Sequence, residues 1–291
     1  MVSGGENLDD VASVRKRPNM YVGDTGSRAG THQLFLEVLA NAVNEHLAGR
    51  CSRIDVALHR DGSATVTDDG AGISVAPDER GVPWLERVLT TLHDTTTADG
   101  HAVHLRRLAH VGLCMVSALS SQLSVEVRRE GRAWRIELER GRVTVPLRAI
   151  GPARGTGTTV RFRPDETLFR CPELEAKVVA REVRQLSALL PGSTITFACE
   201  GQQYGTDLGV ADLLSGARFS DRERWRPITG EARIGDAVGR VAFEWRRWTR
   251  ETTVVGYCNL DPTPEGSHVE GFRRGLARAL GRPDPGALFE A

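Results

Sequence analysis

The sequence predicts an α/β sandwich followed by a smaller α+β unit, and three observations predict it. An apolar run at helical spacing, residues 34–45, carries a stripe of polar side chains. Short segments of alternating hydrophobicity recur along the first two thirds of the chain, separated by Asp-Gly and Glu-Gly turns. The second of these runs into Thr67-Asp68-Asp69-Gly70-Ala71-Gly72-Ile73, where two carboxylates at a strand end meet a Gly-x-Gly turn.

Within the helical run, Leu34, Val38, Leu39, Ala42 and Val43 supply packing faces, while Glu37, Asn41, Asn44 and Glu45 fall on one stripe at 3.6 residues per turn. Periodicity alone admits two readings. The stripe is a solvated face, or it lines a polar cavity, since carboxylates and amides are costly to bury without partners. After the helix ends at Gly49, Ile54, Val56 and Leu58 alternate with polar residues. Arg60-Asp61-Gly62-Ser63 then turns the chain into a second strand at 64–67. Helices are expected at 84–92 and 111–119, with a polar loop over 94–107 between them. Strands follow at 124–129, 133–139 and 158–162, with a loop over 151–157. A second long helix, marked by Leu174, Val178, Leu186 and Leu190, stops at Pro191-Gly192 before a strand at 194–199.

The first domain is expected to span residues 1–215. Residues 222–291 form a second unit, with strands at 240–246 and 252–259 and a helix at 269–280. Some 70 residues can hardly bury a core of their own, so this unit is expected to be incomplete or to lean on the first.

The composition is that of a soluble globular protein, with 291 residues, 40% hydrophobic and 26% charged. Its 38 basic and 38 acidic residues balance, so direct DNA binding is not implied by charge. Lys16 and Lys177 are its lysines, which leaves arginine as the main source of phosphate-binding cations. Five scattered cysteines without a CxxC pair fit reduced thiols, and no run is long and apolar enough for a membrane span. A cytoplasmic location without a membrane partner is expected.

A lone carboxylate–glycine turn fits many ordinary loops. With Glu37-x-x-x-Asn41 about thirty residues upstream it becomes specific. Here the sequence resembles the ATPase region of the bacterial gyrase B and topoisomerase IV proteins, in the GHKL ATP-binding group. The resemblance is carried by residues 14–25 (VRKRPNMYVGDT), 37–49, 68–72, 155–162 (GTGTTVRF) and 266–273 (GSHVEGFR), in the family's order. It implies a GHKL (Bergerat-type) sandwich with a partial transducer-like second domain, and ATP and Mg²⁺ as ligand and cofactor.

By position, the resemblance implies that Glu37 is the general base for the hydrolytic water and Asn41 the Mg²⁺ ligand. Asp68 would accept the adenine amino hydrogen, with Thr158 nearby through a water. Gly70 and Gly72 would permit the turn beneath the base, and Arg135 would border the adenine pocket. For Arg135 a surface arginine in a strand is an equal reading.

The sequence departs from the family at the phosphate lid. A glycine-rich Gly-Gly-Leu-His-Gly-Val-Gly is expected before the buried helix, and Arg106-Arg107-Leu108-Ala109-His110-Val111-Gly112 stands there, keeping only Gly112. Side chains at those positions obstruct backbone amides from wrapping phosphates. Arg106 and Arg107 therefore have two opposed readings, as phosphate clamps or as fillers of the phosphate space. The family's lysine after Leu92-His93 is absent from 94–97, its DGRG arginine is Ala71, and its acid before Asn41 is Ala40. The segment around the lid also holds His93, His101, His104 and His110, half of the eight histidines, at no common zinc spacing.

The arm before Val14 is short for nucleotide-gated dimerisation, though a homodimer is possible, and no further topoisomerase region follows. Three functions are left open. The chain is a stand-alone adenine-nucleotide-binding protein with weak or altered ATPase activity and not a complete topoisomerase. It is a repurposed scaffold acting on another small molecule, an enzyme of specialised metabolism with Glu37 as acid or base. Or it is a non-enzymatic partner or gyrase-inhibitor-binding protein.

Overall fold

The computed structural model describes residues 5–92, 112–199, 202–204, 209–216, 227–244 and 254–281. The chain divides into two compact units, Met1–Asp207 and Leu208–Ala291.

The first unit is built on one eight-stranded sheet. Its strands are β1 (Arg53–Leu58), β2 (Ala64–Asp68), β3 (Ser120–Arg129), β4 (Arg132–Glu139), β5 (Arg142–Pro152), β6 (Gly157–Pro164), β7 (Thr194–Cys199) and β8 (Gln202–Tyr204), in the order β5-β4-β3-β6-β2-β1-β7-β8. The β1–β7 pair is parallel and every other neighbour antiparallel. Alternation decides the layers. Ile54, Val56, Val66, Val125, Val127, Ile136, Val160, Phe162, Ile195 and Phe197 are buried, while their neighbours along each strand stay partly exposed.

Helices pack on the buried face: α1 (Gly5–Lys16), α2 (Asn19–Val22), α3 (Arg28–Leu47), α4 (Trp84–Thr90), α5 (Leu113–Ala118) and α6 (Ala176–Leu189). The longest, α3, starts at Arg28, six residues ahead of the apolar run that predicts it, and the Ser27 side chain before it caps Ala29 N–H. Its Leu34, Phe35, Val38, Leu39 and Val43 are fully inside. Among the described residues, no helix is long and apolar enough to cross a membrane.

The elements α1, α2, β5 and β8 are absent from the sequence-based expectation, and two of them have a clear physical reason or anchor. The strand β5 is one, because it is an outer strand of half-exposed and exposed residues with Pro146 inside it, a pattern tolerated only at a sheet edge. The helix α1 is the other. It is anchored by Arg15, which donates to Ala118 O at 2.7 Å and to the fully buried Asp165 at 2.8 Å.

The second unit holds a short 3₁₀ turn at Gly209–Gly216, the hairpin β9 (Ile228–Ile234) and β10 (Ala237–Phe243), the two-residue strands β11 (Tyr257–Cys258) and β12 (Asp261–Pro262), and α7 (Ser267–Ala279). The strand expected at 240–246 begins earlier and pairs with β9, which leaves no pattern in the sequence because every residue of it is exposed. Phe243 and Phe272, with ring centroids 5.8 Å apart, join the hairpin to α7. The expected 252–259 strand lies partly outside the described residues, and its described end is β11.

Candidate functional site

The polar stripe of α3 is not a solvated face. Glu37 is only 5% exposed, and Gln33, one turn before it, only 3%. Gln33 Nε2 donates to Glu37 Oε1 at 3.0 Å, and the backbone N–H of Gly112 donates to Oε2 at 3.3 Å. Gly112 stands just before α5 with φ of 71°, a conformation that favours glycine. Two donors from two elements thus orient the carboxylate. Asn41, on the next turn of the same face, is half-buried, and Asn44 is buried beyond it.

The second half of the site is the end of β2. Thr67 pairs with Thr159 of β6, so the Asp68 carboxylate lies against the start of that strand. Asp68 is 3% exposed, and its Oδ1 accepts from Gly70 N (2.9 Å) and Thr158 N (3.2 Å). Oδ2 accepts no hydrogen bond among the described residues. Burial pushes the Asp68 carboxyl up to about 6, with the Gly70 and Thr158 N–H groups opposing and the Glu45 and Asp69 charges adding to the rise.

Asp69 has a different task. It accepts from Ser52 N, Ser52 Oγ and Arg53 N at 2.7 to 2.8 Å, pinning the turn to the start of β1. Burial alone would raise its carboxyl, but these hydrogen bonds outweigh it and hold the group at about 2. Two adjacent aspartates thus sit in different environments, Asp68 buried and raised, Asp69 hydrogen-bonded and lowered.

Close packing explains the glycines. A Cβ on Gly157 would lie 2.1 Å from Asp68 O, and one on Gly72, with φ of 78°, 2.9 Å from Arg128 O. The Thr158 hydroxyl accepts from Ile73 N at 3.3 Å, closing the turn from the far side.

Arg135 requires correction. It pairs in register with Glu126 and bonds that carboxylate at 2.9 Å, whereas Val127, Ile136 and Leu138 point to the helical layer. Period-2 alternation sets Arg135 on the opposite face of the sheet from Asp68. The arginines that reach the turn are Arg128, donating to Asp68 O at 3.3 Å, and Arg129, donating to Gly72 O at 2.9 Å. Choosing between them from sequence needs the β3–β6 register, which no local pattern supplies. Gln33 is a site residue that the sequence stripe leaves out, although its i,i−4 spacing from Glu37 is readable. Arg106, Arg107 and the histidines at 93, 101, 104 and 110 lie outside the described residues.

Among the described residues, no three His, Cys, Asp or Glu side chains group to hold a metal ion. A hard cation at Asn41 would take one carboxamide oxygen from the protein and fill its sphere from ligand oxygens and water. That donor set suits Mg²⁺.

A helix-borne carboxylate and a strand-end Asp-Gly turn on an α/β sandwich define a class of ATPase domains. The family model described as "Histidine kinase-, DNA gyrase B-, and HSP90-like ATPase" matches residues 26–168. The chain is 42% identical over 284 residues to the DNA gyrase B protein of Haloferax volcanii, covering 94% of this chain and 44% of that protein. It is 36% identical over 284 residues to the DNA gyrase B protein of Archaeoglobus fulgidus, covering 94% and 45%. Among solved structures, the 43K ATPase domain of Thermus thermophilus gyrase B, crystallised with an aminocoumarin, matches with a TM-score of 0.79 and 35% identity, over 96% of this chain and 74% of that one.

The chain belongs to the gyrase B ATPase-domain family. It spans less than half the length of these two gyrase B proteins.

Proposed function

We propose that the protein binds an adenine nucleotide between α3 and the Asp68–Gly72 turn and hydrolyses it slowly. The observation that carries this reading is the Asp68 carboxylate: buried, held through Oδ1 by two backbone N–H groups, and with Oδ2 left for a donor. With Oδ1 occupied by backbone donors, Oδ2 offers an acceptor to a ligand, and the exocyclic amino group of adenine is a donor that suits it. The Thr158 hydroxyl lies beside that position, where a bridging water can join it to the base.

Glu37 acts as general base. It takes the proton of the attacking water as the water oxygen bonds to the terminal phosphorus, and the nucleoside diphosphate leaves with the electrons of the broken P–O bond. Asn41 would hold Mg²⁺ through its carboxamide oxygen, and the ion would supply charge neutralisation to the phosphates. Gly112 N–H keeps Glu37 pointed at the water, and Arg106 and Arg107, read from sequence as either phosphate clamps or fillers of the phosphate space, would set the rate. The second unit is a partial transducer and the protein is cytoplasmic; a homodimer remains open to it.

Isothermal titration of the full chain with ATP and Mg²⁺ tests the reading. Saturable binding supports it, and no heat at millimolar nucleotide overturns it. A second reading is favoured by one observation: the turn that faces the base is intact while the lid sequence is rebuilt. In that case the pocket serves another small molecule, either as a substrate or as a sequestered inhibitor. The aminocoumarin in the Thermus thermophilus domain makes that inhibitor class the first to titrate.

A further inference from the structure

Glu45 and Arg50 are not used by the mechanism above. Glu45 closes the α3 stripe two turns after Glu37, and Arg50 follows the helix end. Arg50 Nε and Nη2 grip the Glu45 carboxylate at 3.1 and 2.9 Å, a two-pronged pair, and Glu45 Oε2 also accepts from the backbone N–H of Ala71 at 3.0 Å. The same Oε2 lies 2.8 Å from where a Cβ of Gly70 would stand, and Asp68 Oδ1 also lies 2.8 Å from that point. Gly70 is thus flanked by two carboxylates, one on α3 and one on β2. Like charges at that range repel unless one is neutralised, and the Arg50 guanidinium supplies the opposite charge.

We propose that Glu45 and Arg50 form a positioning pair that holds the 68–72 turn in the geometry with which Asp68 discriminates the base of its ligand. Glu45 ties the turn to α3 through Ala71 N–H. Arg50 keeps Glu45 in place and cancels its charge beside Asp68. At position 71 itself there is only a methyl group, so the turn has no longer side chain of its own with which to fasten it to the helix. A shift of the turn moves Asp68 Oδ2 relative to the base edge, and hydrogen-bond discrimination falls steeply with such misplacement.

The inference rests on the nucleotide reading of the site, and its test has one arm that needs no nucleotide. In the first arm, the affinities of the full-length chain for ATP and ITP are compared. ITP carries a carbonyl in place of the 6-amino donor. The native protein is expected to prefer ATP. Glu45→Ala and Arg50→Ala are expected to shrink that preference by about tenfold, whereas Glu45→Gln, which keeps an acceptor for Ala71 N–H, retains more of it than Glu45→Ala. A purely structural role would lower the melting temperature and leave the ratio unchanged, and an unchanged ratio in both alanine variants overturns the proposal.

In the second arm, hydrogen exchange at Ala71 N–H is followed in the ligand-free protein. Exchange about tenfold faster in Glu45→Ala than in Glu45→Gln supports the tie. Equal exchange in native protein and Glu45→Ala overturns it. If neither ATP nor ITP binds, the nucleotide reading fails, and the pair is judged by the amide alone.

Discussion

Gln33 donates its side-chain amide to Glu37 across one turn of α3, at 3.0 Å and with both residues buried. The contact fixes one carboxylate oxygen while Gly112 N–H fixes the other from the start of α5. Orientation and proton transfer can therefore be separated by mutation. Glu37→Ala is expected to lower ATP hydrolysis by about 10² to 10⁴ and to leave nucleotide affinity within a few fold. Gln33→Ala is expected to lower kcat by about tenfold with little effect on KM, since it disturbs the base and not the ligand contacts. Steady-state hydrolysis and titration calorimetry check both, and full hydrolysis by Glu37→Ala removes the helix from the chemistry.

The Asp68 carboxyl, raised to about 6 by burial, makes the protein's stability depend on pH in an unusual direction. Its folded value lies above its unfolded value, so the folded state binds the proton more tightly. Its contribution to stability is fully present below about pH 4 and is lost as pH rises through about 6. Asp68→Asn is therefore expected to be the more stable protein at pH 8, by about 2 kcal/mol, with the advantage shrinking towards pH 4. Thermal melts at pH 4, 6 and 8 measure this. The same variant loses the acceptor for adenine, and in the native protein nucleotide affinity is expected to fall as pH drops below about 6.

Gly157 leaves no space for a side chain, because its Cβ would stand 2.1 Å from Asp68 O, and its φ is 139°. Gly157→Ala must push β6 away from the turn or strain the backbone, at a cost of about 3 kcal/mol. Chemical denaturation is expected to show that loss together with weakened ligand binding. Gly155→Ala, at an open position with φ of 70°, is expected to cost about 1 kcal/mol and to leave binding intact.

Asp165 is fully buried and accepts from Arg15, Arg140 and Thr167. Burial acts to raise its carboxyl, but the hydrogen bonds from Thr167 and Arg15, with Arg140 adding to them, bring it to about 2. A depressed carboxyl contributes stability above its unfolded value, lost as pH falls from about 4 to 2. Asp165→Ala leaves two guanidinium groups without their shared anion, and since both keep contact with solvent it is expected to cost about 1 to 3 kcal/mol at pH 7. Acid titration of the melting temperature should show that loss in the native protein and a flatter profile in the variant.

Much of the fold is legible in the sequence because its signals are local. The 3.6-residue period over 34–45 and the alternation in β1, β2, β3 and β4 depend on neighbours within a few positions. The exposed strands β5 and β9 escape, since an edge or outward-facing strand has no buried face to impress a period on the sequence. Arg135 misleads for a related reason. Its chemistry fits the pocket, but its strand register turns it to the opposite sheet face, and register is set by pairing between distant segments.

By itself, the sequence determined that a carboxylate and a carboxamide share one helix face, that an aspartate–glycine turn ends a strand, and that Arg106 and Arg107 stand shortly before Gly112. Spacing and residue type suffice for each. Only the tertiary structure decided that Glu37 is buried and held by Gln33 and Gly112, that Asp68 is buried against the start of β6 while Asp69 pins the turn, and that Glu45 reaches Ala71 N–H across 26 residues. Hydrogen bonds are short and directional, so which partners meet depends on how α3 lies against β2 and β6, an outcome of whole-core packing that no window of sequence contains.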